Sequence, residues 1–506
     1  MEVFELVIVL LLAGAALAAV ARRLGLPYPA LLALAGAALA LVPGTPTVTL
    51  DPELALALFV APVLLDAAFD SSPRDLREQW RAVASLALMA VLLTVAGVAL
   101  TVRWLAPEVP WAAAVALGAI VAPPDAAAAT AVLRQLRPPH RLLVILEGES
   151  LFNDASALLV YRLAVGAAAG AVIGLGTVPT LLVVSVGSVL LGLVLGRLTL
   201  VVNSRITDIA TAVIVQFIGT FAVWILAEKA HLSGILTMVV YAMSVARDAP
   251  ALIPARIRIP SYAVWEVAVF VLNVLAFILV GLQLKPILGR LTTVEVATYF
   301  GTAAAVTAVV MLVRIVWVLR EDALCWLLRR APAAGGRCGT TRNAIVVAWC
   351  GMRGTVTLAA ALALPADFPA RDLVLFTAFC VVLGTLVIQG LTLRPLMRRL
   401  GVEQDDSVER EVRLARAETA RAAVDELDGA GPENDAVRLV QSRYQARLQG
   451  RRGDGDNGTA SLLRRAVAAE RRRLVSLRAE GTIGDDAFHR VEEELDWAEL
   501  HAESAS

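Results

Sequence analysis

The stretch GAIVAPPDAAAATAVL, residues 118–133, is apolar enough to lie in a membrane but carries two consecutive prolines and an aspartate. Pro123 and Pro124 each lack an amide donor, so the stretch cannot continue as one regular helix. Irregular backbone at membrane depth is stable only where it is buried in protein or lines a polar cavity. These residues therefore predict a broken membrane helix inside a larger helical protein.

A second interruption, at residues 351–354 (GMRG), divides another apolar run seven predicted spans further along the chain. An ordinary kink would explain either break alone. Two breaks in corresponding halves, with Asp125 and Arg353 at them, are instead typical of inverted repeats that cross at a substrate site in the middle of the membrane. We therefore expect inverted repeats with two discontinuous crossing helices.

The composition of the chain agrees with a membrane protein. Of its 506 residues, 58% are apolar and 18% charged, whereas soluble proteins have about 45–50% and about 25%. This excludes a disordered chain and a disulfide scaffold, and four cysteines without a CxxC pair do not indicate a zinc site. Apolar stretches predict thirteen spans, near residues 3–20, 27–42, 53–70, 80–104, 110–134, 142–166, 178–199, 207–228, 232–246, 261–284, 294–319, 342–364 and 372–393.

The basic residues predict the orientation of these spans. The leading region of the first span carries Glu2 and Glu5, and Arg22 and Arg23 follow the span, which favours a retained helix over a signal peptide. With the N-terminus outside, the inner loops hold 21 basic residues and the outer loops hold 5. This asymmetry obeys the positive-inside rule. We expect a multi-pass protein of the plasma membrane with its C-terminus in the cytoplasm.

The chain changes character after Arg399. Residues 401–506 hold 39 charged residues in 106 and a net charge of −7, against +7 for residues 1–400. Helical segments are predicted at 408–428 and 458–500, with a Gly/Asp-rich break between them at 450–458. The second contains an amphipathic stripe made of Ile483, Phe488, Val491, Leu495 and Leu500. We expect a soluble helical tail that packs on itself or on a partner copy, with a ligand-sensing domain as the alternative.

Charged residues inside the predicted spans indicate the function. Charges near the centre of a bilayer are unfavourable and usually mark an ion pathway or an internal pair. The predicted interior charges are Asp66, Asp125, Glu147, Glu149, Asp154, Glu266, Arg162, Arg314 and Arg353. They are too numerous for a receptor anchor or a passive scaffold, so they favour a protein that moves an ion.

The densest cluster of these charges is LEGESLFNDASALL, residues 146–159. Ser150 and Asp154 lie four residues apart on one helix face, with Asn153 beside them. Their oxygens are hard ligands suited to an alkali cation such as Na⁺. A buried carboxylate binds either a proton or a cation, so the two compete. A helix-packing hydrogen-bond network is the alternative interpretation.

These motifs resemble the monovalent cation:proton antiporter family, specifically its bacterial sodium/hydrogen exchanger branch. The matching stretches are residues 64–80, 118–133, 146–159, 265–284, 351–365 and, in the tail, 477–496. The resemblance implies the sodium/proton antiporter fold, an all-α membrane protein with a mobile six-helix core, and a homodimer. It also implies electroneutral exchange of Na⁺, or of Li⁺ or K⁺, for H⁺ in pH and sodium homeostasis. No cofactor beyond the transported ions and no nucleic acid is expected.

The resemblance also implies roles for the residues of the first break and the cluster. Asp154 matches the acid that alternately binds cation and proton, and Ser150 matches a cation-coordinating position. Asn153 matches the neutral residue that accompanies electroneutral exchange, and Asp125 matches an essential acid. Many relatives carry Ser/Thr-Pro-Thr-Asp-Pro at the break, so Pro124 replaces a threonine ligand and leaves only its carbonyl oxygen.

Two further roles follow from the same resemblance. Glu149 and Arg353 resemble a buried pair that steadies the crossing region. Asp66 resembles an acidic position of the third span.

Three other functions fit parts of the sequence. A K⁺-selective exchanger would use the same residues. An ion channel would need a filter such as TVGYG, which is absent. An intramembrane protease could use Asp66 and Asp154, but the GxGD signature is absent. We expect the histidines to be surface residues and not pH sensors; they are His140, His231, His489 and His501.

Overall fold

A computed structural model of the chain describes residues 2–24, 26–43, 54, 56–133, 138–170, 177–328, 341–402, 407–428 and 460–504. Within these ranges the regular structure is entirely helical, which confirms the predicted all-α class. The membrane part contains α1 (Glu2–Leu24), α2 (Tyr28–Ala40), π1 (Leu56–Val60), α3 (Ala61–Asp70), α4 (Pro73–Ala84), π2 (Ser85–Ala90), α5 (Val91–Leu105), α6 (Trp111–Val121), α7 (Ala126–Leu133), α8 (His140–Ala168), α9 (Thr177–Asn203), α10 (Ile209–Lys229), α11 (Gly234–Leu252), α12 (Ala255–Leu282), α13 (Leu284–Leu288), α14 (Thr293–Leu328), α15 (Thr341–Trp349), α16 (Thr355–Leu362) and α17 (Arg371–Leu400). The tail contains α18 (Ser407–Asp428), α19 (Ala460–Ala479) and α20 (Asp485–Ser504).

Each of the thirteen predicted spans coincides with one of these helices or with a consecutive set of them. In the part of the chain that the structure describes, eight helical segments are long and apolar enough to cross a membrane. Tyr28–Ala40 and Ala57–Phe69 are shorter apolar helices. The two interrupted spans are α6 with α7 and α15 with α16, so both predicted breaks lie where the sequence places them.

Prolines mark where several of the helices begin. Pro73 is the first residue of α4, and the Ser72 hydroxyl caps this helix by accepting a hydrogen bond from the Asp75 amide at 3.2 Å. Pro139 and Pro254 directly precede α8 and α12. Proline is well suited to these positions because the first turn of a helix has no use for its missing amide hydrogen.

The membrane helices pack in two groups. The core helices are α4 to α8 and α14 to α17, and they surround both interrupted spans. The scaffold helices are α1 to α3 and α9 to α12. The two groups meet where α2 packs on α17, α12 on α16, and α3 on α8. The breaks therefore lie inside one group, next to its boundary with the other.

Glycines allow α2 and α12 to pack closely within the scaffold group. A Cβ at Gly281 would lie 2.2 Å from the Ala33 carbonyl oxygen, and one at Gly36 would lie 2.3 Å from the Ile278 oxygen. The two backbones are thus in direct contact, as is common where small residues line a membrane helix interface. This contact makes the scaffold group a tightly joined unit.

The tail helices α18, α19 and α20 pack against one another around an apolar cluster. Ile483, Phe488, Val491 and Leu495 of the predicted stripe are all buried there. The side chain of Leu500 and the predicted break at 450–458 lie outside the described residues. Helix α20 also contacts α12 of the scaffold group, so the tail packs both on itself and on the membrane helices.

Candidate functional site

The two interrupted spans touch each other at their breaks. The first break lies between the end of α6 at Val121 and the start of α7 at Ala126, and the second lies between α15 and α16. The Asp125 amide donates a hydrogen bond of 2.7 Å to the Met352 carbonyl. Each break therefore supplies a partner for a backbone group of the other, as membrane depth requires.

Asp125 lies at the N-terminal ends of both half-helices that follow the breaks. Its Oδ1 accepts a 2.9 Å hydrogen bond from the Ala127 amide, and its carboxyl also accepts from the Thr355 amide. A Cβ at position 354 would lie 1.6 Å from Asp125 Oδ2, so only glycine fits there. A carboxylate at these ends is stabilised because helix N-termini carry unpaired amides and partial positive charge.

A buried arginine lies at the C-terminal end of each half-helix that precedes a break. Arg353 donates to the carbonyl of Val121 through Nε at 2.9 Å and to that of Ala122 through Nη2 at 3.0 Å. Arg314 of α14 donates to the Val347 carbonyl at 3.2 Å and 3.0 Å. Cations offset the partial negative charge of helix C-termini. The acid and the two arginines thus hold the four half-helix ends together.

Arg353, the predicted partner of Glu149, is not the residue with which Glu149 pairs. Glu149 pairs with Arg314 through both of its oxygens, and the Arg314 Nη2 to Glu149 Oε2 distance is 2.8 Å. The Arg353 guanidinium instead donates its hydrogen bonds to backbone carbonyls. The sequence identified Arg314 as an interior base, but it contained no signal that α14 lies opposite Glu149.

The cluster on α8 faces the first break. The Asn153 side-chain amide donates a 3.0 Å hydrogen bond to the Pro124 carbonyl, and the Ser150 hydroxyl oxygen accepts one of 3.4 Å from the Ala126 amide. Asn153 is fully buried, and its Oδ1 has no hydrogen-bond partner among the described residues. Asp154 is 5% exposed. The oxygens of α8 and of the break therefore converge.

The chemistry of this cluster suits a small hard cation. Asp154 and Asp125 are close enough for their charges to interact. Around them lie hydroxyl, amide and backbone oxygens, the ligand type that alkali cations prefer. In the described part of the chain, no group of three or more His, Cys, Asp or Glu residues could hold a metal ion. The structure thus brings together five of the predicted site residues, namely Asp154, Asn153, Ser150, Asp125 and Pro124.

Other predicted interior charges lie elsewhere. Asp66 is half-buried on α3, a scaffold helix that packs against α8. Glu266 is exposed on α12, and Arg162 forms a 3.0 Å ion pair with Glu228 in which both side chains are about half exposed. Both residues lie within their predicted spans, but neither side chain is buried in the protein. Hydropathy indicates that a residue lies in a span but not which face of the helix it occupies.

Comparisons with known proteins agree with this geometry. A family model described as "Sodium/hydrogen exchanger, transmembrane" matches residues 7–399. The "Uncharacterized Na(+)/H(+) exchanger Rv2287" of Mycobacterium tuberculosis is 32% identical over 98% of this chain and 96% of its own. The "Sodium, potassium, lithium and rubidium/H(+) antiporter" of Bacillus subtilis is 30% identical over 78% of this chain and 61% of its own.

A solved structure shares the fold. The sodium proton antiporter MjNhaP1 of Methanocaldococcus jannaschii superposes with a TM-score of 0.63 at 18% identity, and the match covers 80% of this chain and 99% of that one. The antiporter fold expected from the sequence is thereby confirmed. One family assignment accounts for the crossed half-helices, for the buried acid beside them and for the family match over residues 7–399. The chain belongs to the sodium/hydrogen exchanger family.

Proposed function

We propose that the protein is a secondary active antiporter that exchanges Na⁺, or Li⁺ or K⁺, for H⁺ across the plasma membrane. The observation that carries this proposal is the buried carboxyl of Asp154 beside the oxygens of Asn153, Ser150 and the first break. A single carboxylate in such a place can be neutralised by one proton or by one cation. The names of the relatives, which include sodium, potassium, lithium and rubidium, support the same class of cargo.

Coupling follows from the burial of this carboxylate. In our proposal Asp154 releases its proton, binds the dehydrated cation together with Ser150 and the Pro124 carbonyl, and moves with the core helices against the scaffold helices. A core with an empty, ionised Asp154 would carry an unpaired buried charge across, which is strongly unfavourable. Only the loaded forms therefore move, so one ion cannot cross without the other.

Electroneutrality is supported by the charges around the site. Asn153, next to Asp154, is an uncharged amide, and Glu149 is paired with Arg314. Asp125 accepts hydrogen bonds from amides of both half-helices, so in our proposal it stabilises the breaks and does not exchange a proton. One exchangeable acid then carries one proton in one direction and one cation in the other. This exchange would serve pH and sodium homeostasis without any cofactor beyond the transported ions.

The proposal includes the organisation of the whole chain. Residues 1–400 would form the transmembrane antiporter domain and 401–506 a cytoplasmic tail, with the N-terminus outside. The excess of basic residues in the inner loops supports this orientation. Large apolar side chains are exposed along α9 and α10, which suits contact with lipid and with the second subunit of a homodimer.

A flux assay tests the proposed exchange. Proteoliposomes with an acidic interior should show internal alkalinisation when NaCl or LiCl is added outside, and a membrane potential of either sign, imposed without an alkali-cation gradient, should leave the Na⁺ rate unchanged. Liposomes without protein are the control. A current without proton movement would indicate a channel and contradict the proposal, and a rate that follows the potential would contradict electroneutrality.

A K⁺-selective exchanger is the second candidate. Pro124 leaves the first break without a hydroxyl ligand, and the Bacillus subtilis relative is named for potassium among other ions. Parallel runs of the flux assay with KCl decide between the two. A KCl response that exceeds the NaCl and LiCl responses would favour the second candidate.

A further inference from the structure

Helix α20 of the tail is joined to the scaffold group by a buried ionic contact. Arg258, in the first turn of α12, lies with Nη1 2.7 Å from Glu492 Oε1, and its Nη2 contacts Asp496. All three side chains are 3% exposed or less. Arg471 of α19 lies 2.6 Å from Asp496, so a second tail helix takes part in this ionic cluster.

The beginning of the same helix is joined to the core group. Asp486 Oδ2 lies 3.1 Å from His140 Nδ1, and His140 Nε2 lies 2.9 Å from Asp75 Oδ2. His140 is the first residue of α8, and Asp75 lies in the first turn of α4. The sequence predicted only that His140 is a surface residue, and the structure places it between two carboxylates of different parts of the chain.

We propose that α20 is a clamp that ties the core helices to the scaffold helices and restrains the exchange cycle until the contact between His140 and Asp486 opens. The inference rests on the proposed function, because it requires the core to move against the scaffold. The opposite net charges of the two parts, +7 for residues 1–400 and −7 for the tail, favour the docked arrangement.

The geometry of α20 explains the restraint. Asp486 and Asp496 are ten residues apart, which is about 15 Å along a helix that rises about 1.5 Å per residue. A single straight helix cannot keep hydrogen-bonding contacts at both ends when the two groups that it joins shift by more than about an ångström. One end must open. The Arg258 end is buried and has two carboxylates, while the side chain of Asp486 is 48% exposed, so the His140 end opens first.

The opening end is sensitive to pH. The hydrogen bonds that His140 donates to the carboxylates of Asp486 and Asp75 raise the pKa of His140 to about 10, although partial burial acts in the opposite direction. His140 lies before the apolar part of α8. The charged and titratable groups around it are Asp75 of α4, Asp486, His489 and Arg490 of α20, Glu411 of α18, which accepts from the Gly484 amide, and Arg141 of α8.

The direction of the pH effect follows from the raised pKa of His140. Asp75 belongs to the core and remains beside His140 in both states, so only the contribution of Asp486 is linked to docking. When α20 is undocked, His140 has a lower pKa than in the docked state. Below that lower pKa His140 is protonated in both states, and its contact with Asp486 contributes fully to docking. The contact weakens as pH rises toward about 10, because His140 loses its proton. Alkaline conditions on the tail side should therefore release the clamp and increase exchange.

The first test compares Asp486→Asn with Glu493→Gln in the full chain, in everted membrane vesicles whose tail side faces the bath. Glu493 is exposed on the same helix, so the control removes the same charge without touching His140. At bath pH about 7, we expect Asp486→Asn to exchange about fivefold faster than wild type or more. Amide hydrogen exchange in α20 should also become faster, and Glu493→Gln should match wild type in both measurements.

The outcomes separate the two proposals. Wild-type vesicles without cation-driven proton flux would contradict the proposed function, while hydrogen exchange in α20 would still report on docking. Wild-type flux together with equal rates for Asp486→Asn and Glu493→Gln would overturn the clamp alone.

A second test closes the clamp covalently. The double variant His140→Cys and Asp486→Cys should exchange faster than wild type, lose exchange when a short reducible bifunctional thiol reagent joins the two positions, and regain it on reduction. Wild type treated with the same reagent is the control for the native cysteines. Exchange that continues at full rate in the cross-linked double variant would overturn the clamp.

Discussion

An Asp154→Asn variant is expected to lose cation-driven proton exchange completely while it remains folded in the membrane. The amide is close in size to the carboxyl but can neither release a proton nor neutralise a cation. Because Asp154 is 5% exposed and its neighbour Asn153 holds the Pro124 carbonyl at 3.0 Å, the packing around the site should persist. The measurement is the NaCl-driven pH change in proteoliposomes, together with thermal unfolding of the purified protein.

A matched control removes an acid outside the site. Glu228 pairs with Arg162 at a half-exposed position, so Glu228→Gln should keep nearly wild-type exchange. Exchange by Asp154→Asn above the rate of empty liposomes would contradict the assignment of the carrier carboxyl.

An Arg314→Met variant is expected to be destabilised by about 3–5 kcal/mol, because it leaves the buried charge of Glu149 without its partner. Glu149 and Arg314 are 1% and 2% exposed, respectively. Replacing both residues, as Arg314→Met with Glu149→Leu, removes the buried charges together and should recover most of the lost stability. The measurement is the free energy of unfolding in detergent for the wild type, both single variants and the double variant.

The partner of Glu149 is decided by a second cycle. For the double variant Arg353→Met with Glu149→Leu, the loss of unfolding free energy should equal the sum of the losses in the two single variants. Arg353 donates to the Val121 and Ala122 carbonyls and not to Glu149, so the two changes should not be coupled. Couplings between residues in contact commonly reach about 0.5–3 kcal/mol. A larger coupling for Glu149 with Arg353 than with Arg314 would contradict the observed pairing.

The fold could be predicted from the sequence where local chemistry decides the structure. Pro123 and Pro124 cannot extend a helix, and Gly351 and Gly354 interrupt the other crossing span, so both breaks are local properties. The converging ligands on α8 follow from helical spacing. Long apolar runs predict where the membrane helices lie. These features need no knowledge of which helices are neighbours.

Contacts between distant parts of the chain could not be predicted in the same way. Glu149 meets Arg314, 165 residues away, because α14 lies beside α8 in the folded core. His140 meets Asp486, and Arg258 meets Asp496 across 238 residues, only because the tail docks on the membrane helices. The exposure of Glu266 could not be predicted either, because a span has a buried face and an exposed face. Each of these facts depends on tertiary packing.

In our proposal one carboxyl, that of Asp154, binds either a proton or a cation. The pH dependence of the apparent KM for Na⁺ in the wild-type exchanger, measured by tracer uptake with the pH equal on both sides, tests it most directly. Competition at one site predicts that KM rises about tenfold for each pH unit below the pH at which the site takes up its proton, while the maximal rate at saturating Na⁺ stays nearly constant. A KM that does not change with pH would contradict the claim.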